Sequence, residues 1–235
     1  MLVSINYHSL PRSRSTDGIK YKAADRITAD RRESVMSKDL AVKDKKKLVI
    51  CICGMAGSGK STLAKRIAKH YDLKYYSGGD ALKAVAAELG YRTSGEGWWE
   101  TEEGIRFLQE RLNNPEIDRR VDQKQLEWAE KGGAVFDSWA LPWLLKDGFK
   151  VWLEASEEVR AKRIAERDGL SYSEALKFLR EKEARTKAIY KKLYGFNLGE
   201  DFSPFHLIID VNLLTKDEVF EALRMVIDKL LLGRG

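Results

Sequence analysis

Cysteine, histidine and proline are scarce: the 235-residue chain has two, three and four of them. The two cysteines, Cys51 and Cys53, stand two apart in one apolar stretch. That excludes a disulfide-stapled scaffold and a cysteine-rich metal centre, and they read as small core residues suited to a reducing cytoplasm. None of His8, His70 and His206 has a partner at metal-ligand spacing, so no metal role is assigned to them. Long apolar runs are missing too. No stretch approaches the roughly 18 apolar residues of a membrane span, so no membrane partner is expected. Nor is there an internal repeat. A surplus of one charge is absent from the body of the chain. Residues 1–47 carry 12 Lys and Arg against 6 Asp and Glu, which accounts for the whole formal net charge of +6. A balanced body is not the footprint of a nucleic-acid binder.

Residues 1–47 are rich in Ser, Arg, Lys and Asp and poor in large apolar side chains, so they read as a basic, disordered leader. No apolar core of a secretory signal follows the charges, and Asp17, Asp25, Asp30 and Glu33 speak against a transit peptide. Met36, about a dozen residues before the first apolar run, is the expected functional start. Residues 48–235 are expected to form one domain.

What the chain does have is Leu48–Cys53, an unbroken apolar run of the kind buried on both faces of a parallel sheet. Directly after it comes Gly54-Met55-Ala56-Gly57-Ser58-Gly59-Lys60-Ser61, which fits G-x-x-x-x-G-K-[ST]. Helical spacing follows over 62–70. Strand, glycine loop and helix thus stand in the order that makes a phosphate cradle. The glycines let backbone N–H groups point at phosphate oxygens, and the helix N-terminus adds partial positive charge. Gly54, Met55, Ala56, Gly57, Ser58, Gly59, Lys60, Ser61 and Thr62 are the expected ATP-binding residues. Lys60 is expected to reach the β- and γ-phosphates and Ser61 to hold Mg²⁺.

Beyond the loop, strands are expected at 73–77, 134–137, 149–154 and 207–211, with helices over 81–89, 102–112, 117–129, 157–167, 173–194 and 215–231. Strands alternating with helices imply an α/β fold with a parallel sheet covered on both faces. Asp137 ends an apolar strand after a phosphate loop, which suits an acid that positions Mg²⁺ or acts as base towards an acceptor hydroxyl. An ordinary turn aspartate looks the same. Asp80 fits either an acceptor contact or a helix cap. Arg160, Lys162, Arg163, Arg167, Arg180, Lys182, Arg185 and Lys187 surround a loop at Asp168-Gly169. They suit a transferring phosphoryl group, with Arg163 and Arg167 the leading candidates, but interleaved glutamates equally suit a salt-bridged surface. Trp98, Trp99 and Trp139 are candidates for stacking on a base or for plain packing.

Four segments carry a resemblance to a known family: Gly54–Ser61, residues 114–122 (NPEIDRRVD), residues 159–169 (VRAKRIAERDG) and residues 190–195 (YKKLYG). From Leu48 to the C-terminus the chain resembles the archaeal-type cytidylate kinases, nucleoside monophosphate kinases of the P-loop class. The resemblance implies a P-loop kinase fold, a five-stranded parallel sheet between helices. It further implies an acceptor-binding helical region over 80–130 and an arginine-bearing lid over 163–190. The implied enzyme is a monomer using ATP and Mg²⁺, with Lys60, Asp137, Arg163 and Arg167 catalytic, Ser61 and Asp137 on the metal, and Ser77, Asp80, Lys83, Trp139 and Arg185 at the acceptor. The chain departs from the pattern at Lys83 and Trp139, where the family carries arginine. Three acceptors therefore stay open: CMP or dCMP, another nucleotide, or an unphosphorylated hydroxyl compound. A nucleotide-binding protein without catalysis is the competing class.

Overall fold

The computed structural model describes residues 45–93 and 98–233. Residues 1–44 of the leader, Met36 among them, and residues 94–97 of the glycine-rich break lie outside them; the leader's last residues, Lys45–Lys47, form a 3-10 turn. Among the described residues no helix is long and apolar enough to cross a membrane.

The apolar run forms β1 (Val49–Gly54), buried at all six positions. Four parallel strands accompany it: β2 (Lys74–Ser77), β3 (Ala134–Asp137), β4 (Phe149–Glu154) and β5 (Leu207–Asp210), in the order β2-β3-β1-β4-β5. β1 lies at the centre, where the chain's first crossover goes one way and its later ones the other. Ligands of open parallel sheets bind at the carboxyl ends of strands at such a switch point. The register brings Ile52 of β1 level with Asp137 of β3, and Asp137 level with Ser77 of β2.

Helix α1 (Lys60–Tyr71) and helix α8 (Lys216–Val226) cover one face of the sheet. Leu63, Ile67 and Tyr71 of α1 and Val219 and Leu223 of α8 pack there on Ile50, Ile52, Val151 and Leu153. α8 does not run on as an α-helix to residue 231. A wider π turn takes over at Ile227–Leu231, and both of those end residues are buried. Helices α2 (Gly78–Glu88), α3 (Glu102–Asn113) and α4 (Pro115–Glu130) form a lobe with its own small core, including Val85, Trp98, Phe107, Ile117 and Val121. A short helix, α5 (Leu141–Leu144), follows β3 and was not legible in the pattern. Helix α6 (Glu157–Asp168) and the 23-residue α7 (Tyr172–Tyr194) complete the fold.

Gly78, Gly79 and Asp80, expected to precede a helix starting at 81, are the first turn of α2. Ser77 caps it: its hydroxyl accepts from Asp80 N at 3.1 Å while the Asp80 carboxylate accepts from Ser77 N at 2.7 Å. This reciprocal box satisfies two orphan amide donors and outweighs the poor helix propensity of the two glycines. Ser77→Ala is expected to cost about 1 kcal/mol of stability. Urea unfolding measures it, and a midpoint unchanged from wild type would show the cap to be dispensable.

Candidate active site

The phosphate loop closes as its glycines require. Gly57 has φ +81°, and a Cβ there would lie 2.7 Å from the Arg160 carbonyl oxygen. At Gly54 a Cβ would meet Ser58 Oγ and the Leu153 carbonyl, both inside 3 Å. The backbone is thus packed against α6 and β4 with no room for side chains. At the start of α1 the capping residue is Gly59, φ +95°, and no side chain caps the helix. The other long helices, α2 to α4 and α6 to α8, carry Ser, Thr or Asn caps. The first amides of α1 are left for an incoming anion, which a phosphate fits. Ser58 Oγ supports this: it is enclosed, with no hydrogen-bond partner among the described residues.

Trp139 lies over this loop. Its indole N–H donates to the Gly54 carbonyl at 2.8 Å. The Lys60 ammonium stands 5.2 Å from the indole ring centroid, and the Lys182 ammonium, from α7, stands 5.7 Å from it. Lys182 is held below the usual lysine range by partial burial, then by the positive charges of Lys60 and Arg167. Lys60 and Lys182 therefore stand near one indole ring beside the loop. Asp137 is buried, level with Ile52, and accepts a long bond of 3.4 Å from the Tyr75 hydroxyl. Burial, then the Asp137 carboxylate, raises the Tyr75 hydroxyl's pKa. Ser61 is exposed one residue into α1. The hydroxyl of Ser61 and the carboxylate of Asp137 are the hard oxygen donors that suit Mg²⁺.

The expected lid arginines divide. The Arg163 guanidinium donates to the Val211 carbonyl at 2.8 Å and to the Ser58 carbonyl at 3.4 Å, so it braces the loop from behind. Arg167 is exposed and held in a two-pronged pair with Asp168 at 2.6 and 2.7 Å. Arg185 is exposed on α7. Of the residues expected at the acceptor, the Asp80 carboxylate is taken up by the Ser77 cap, and Lys83 lies half-buried one turn further along α2. Trp98 is 2% exposed and packs on Trp99 and Phe107, which makes it a core residue of the helical lobe rather than a stacking platform.

Two of the eight basic candidates, neither of them in the leading pair, lie against the loop or the tryptophan over it. Lys182 is one. The other is Arg160, buried at 7% exposure, which donates to the Ala56 carbonyl of the loop at 3.1 Å and to the Ala155 carbonyl at 3.0 Å. It also makes an ion pair with Glu183 of α7. The helical phase contained a signal for both: Arg160 adjoins buried Ala161, and Lys182 lies three residues after buried Leu179.

A family model described as the cytidylate kinase-like family matches residues 49–213. The chain belongs to that family. It is a kinase with a P-loop fold. A cytidylate kinase from Pyrococcus horikoshii is 37% identical over 187 residues, covering 79% of this chain and 91% of the relative. One from Methanocaldococcus jannaschii is 33% identical, covering 78% and 99%. Among solved structures, an uncharacterized protein from Eubacterium ventriosum superposes with a TM-score of 0.59 at 21% identity, over 78% of this chain and 99% of that one, a likeness of fold. The matched segment of this family member begins at β1 and runs past β5, so it contains every element that builds the site.

Asp122 of α4 gives this kinase a measurable pH signature. Burial raises its carboxyl to about 7, although the Tyr194 hydroxyl donates to it at 2.9 Å; nearby Asp118 adds to the rise and Arg111 opposes it. An unfolded aspartate titrates near 4. Between those values the folded protein holds a proton that the unfolded chain has released. Its contribution to stability is therefore full at low pH and is lost as pH rises towards 7. Asp122→Asn removes that slope, so the variant's melting temperature relative to wild type should be higher at pH 8 than at pH 5. Equal differences at both pH values would contradict it.

Proposed function

We propose that the protein transfers the γ-phosphoryl group of ATP to a nucleoside monophosphate, with CMP or dCMP as the acceptor. The observation that carries this reading is the placing of Lys60 and Lys182 near Trp139, which lies over a phosphate loop whose helix is left uncapped. The relatives' activity, read from their name, supplies the acceptor.

In this reading the loop amides and Lys60 hold the ATP phosphates. A cleft bordered by Gly59, Thr62, Arg163, Val211 and Leu214 opens beside the loop and takes the ATP base. Ser61 and Asp137 would hold Mg²⁺, which would supply positive charge to the phosphates. Lys182 and Arg167 stabilise the charge spread over the oxygens of the transferring group, where donors already in place are worth most. Trp139 gives Lys60 and Lys182 one rigid ring to rest near and excludes water beside them. The acceptor phosphate, which meets no arginine at Trp139, is met by Lys83. Arg119 and Arg120 instead pair with Glu116 and Glu88, and Arg106 stacks on Tyr91. The unpaired, buried thiols of Cys51 and Cys53 suit a monomer working in a reducing cytoplasm.

The test is product identity. Protein incubated with ATP, MgCl₂ and CMP should give CDP and ADP in equal amounts by anion-exchange chromatography. ADP and inorganic phosphate without CDP would show hydrolysis instead of transfer.

A further inference from the structure

Asp137 is short of partners. It ends β3 with 7% of the residue exposed, where an unpaired carboxylate is costly. One side-chain donor among the described residues reaches it, the Tyr75 hydroxyl of β2, 3.4 Å from Oδ2. The bond is long, yet no second donor competes for that oxygen among the described residues. Oδ1 accepts no hydrogen bond there, so one oxygen of the carboxylate is anchored and the other is left open.

Tyr75 is itself held in place. Its register partner on β3 is Val135, and that of Ser77 is Asp137. Alternate residues of a strand share a face, so Tyr75 stands one step behind Asp137 on the face that α1 covers. Tyr75 packs there on the cluster that contains Val135, Leu63 and Ile67. The Lys65 ammonium of α1 stands 5.4 Å from its ring centroid. The ring is thus wedged between the strand that ends in Asp137 and the helix that begins with Lys60 and Ser61. Two residues on, Ser77 caps α2 of the helical lobe. Three residues of β2 therefore join the acid, the loop's helix and the first helix of the lobe.

We propose that Tyr75 is a positioning residue for Asp137: its hydroxyl fixes the rotation of the carboxylate through Oδ2 and leaves Oδ1 for a cation. This rests on the reading that Ser61 and Asp137 hold Mg²⁺. A carboxylate free to turn must be ordered when the cation arrives, and a donor outside the ligand set removes that cost in advance. Phenylalanine at 75 would keep the ring, its packing and the Lys65 contact, and would lose the hydroxyl alone.

The experiment uses Mn²⁺, which takes the same oxygen donors as Mg²⁺ and is counted by electron paramagnetic resonance. Mn²⁺ affinity in the presence of ADP, ADP affinity in EDTA, and a thermal melt are measured for the full chain, Tyr75→Phe, Asp137→Asn and the double variant. Tyr75→Phe should weaken Mn²⁺ binding by roughly tenfold, with ADP affinity in EDTA and the melting temperature nearly unchanged. In the Asp137→Asn background, itself weaker for Mn²⁺, adding Tyr75→Phe should change nothing further, because both act through one carboxylate. With Mg²⁺, kcat of Tyr75→Phe should fall while the KM for CMP holds. Unchanged Mn²⁺ affinity in Tyr75→Phe would overturn the inference. So would an equal loss of ADP affinity with and without metal, which marks a purely structural role, or full additivity in the double variant. Mn²⁺ affinity unaltered by Asp137→Asn would sink the metal reading, and this inference with it. Mn²⁺ weakened by Asp137→Asn but not by Tyr75→Phe would sink the inference alone.

Discussion

Lys60→Ala is expected to lower kcat by about a hundredfold or more while leaving the fold intact. The ammonium is half-buried at the start of α1, and its recorded contact among the described residues is the face of Trp139. Losing a partly exposed cation–π contact costs about 0.5–1 kcal/mol, a small part of a domain's stability. Losing a charge aimed at the phosphates during transfer costs about 3–4 kcal/mol of barrier. Lys182, near the same ring, keeps some positive charge nearby, so a residual rate should remain. Steady-state kinetics and a thermal melt on one preparation separate the two effects. Full activity in Lys60→Ala would remove the loop from the active site.

The largest effect on stability should come from Arg160→Ala. The side chains of Arg160 and Glu183 are 8% and 13% exposed, so removing the arginine leaves a carboxylate enclosed without its partner. It also leaves the Ala56 and Ala155 carbonyls without their donor. Breaking a buried pair from one side typically costs about 3–5 kcal/mol. For a domain of this size that is a fall in melting temperature of about 10 °C. Replacing both partners, Arg160→Met with Glu183→Leu, should recover much of that loss, because well-packed apolar groups do without the desolvation cost. The double variant should nonetheless remain slow, since α7 and Lys182 are no longer tied through Arg160 to Ala56 in the phosphate loop. If the double variant were as unstable as Arg160→Ala, the cost would lie in the two carbonyls and not in the ion pair.

The strands were the most legible part of the fold. Residues 134–137 and 149–154 pair where the apolar pattern put them, and the phosphate loop stands where its glycines said. Short-range chemistry explains these successes, because each depends only on neighbours in sequence. The helix start expected at 81 shows the limit: the Ser77–Asp80 capping box sets it three residues earlier, at Gly78. The arginines show a second limit. Arg160, Arg163 and Arg167 are spaced almost evenly along α6, so sequence alone does not say which one faces the loop, which one its back and which one solvent. The answer depends on where α7 lands, and α7 is placed by contacts distant in sequence, Glu183 to Arg160 and Tyr194 to Asp122. Trp139 was legible as a departure from the family pattern, yet its seat near two lysines was not.

The central claim, that this kinase phosphorylates a pyrimidine monophosphate, is tested most directly by a coupled ADP-release assay over all nucleoside monophosphates, the nucleosides and a panel of small hydroxyl metabolites. CMP and dCMP should give the highest kcat/KM, with nucleosides and hydroxyl metabolites at the ATP-only background. Turnover of nucleosides without turnover of monophosphates, or CMP turnover no better than that background, would contradict it.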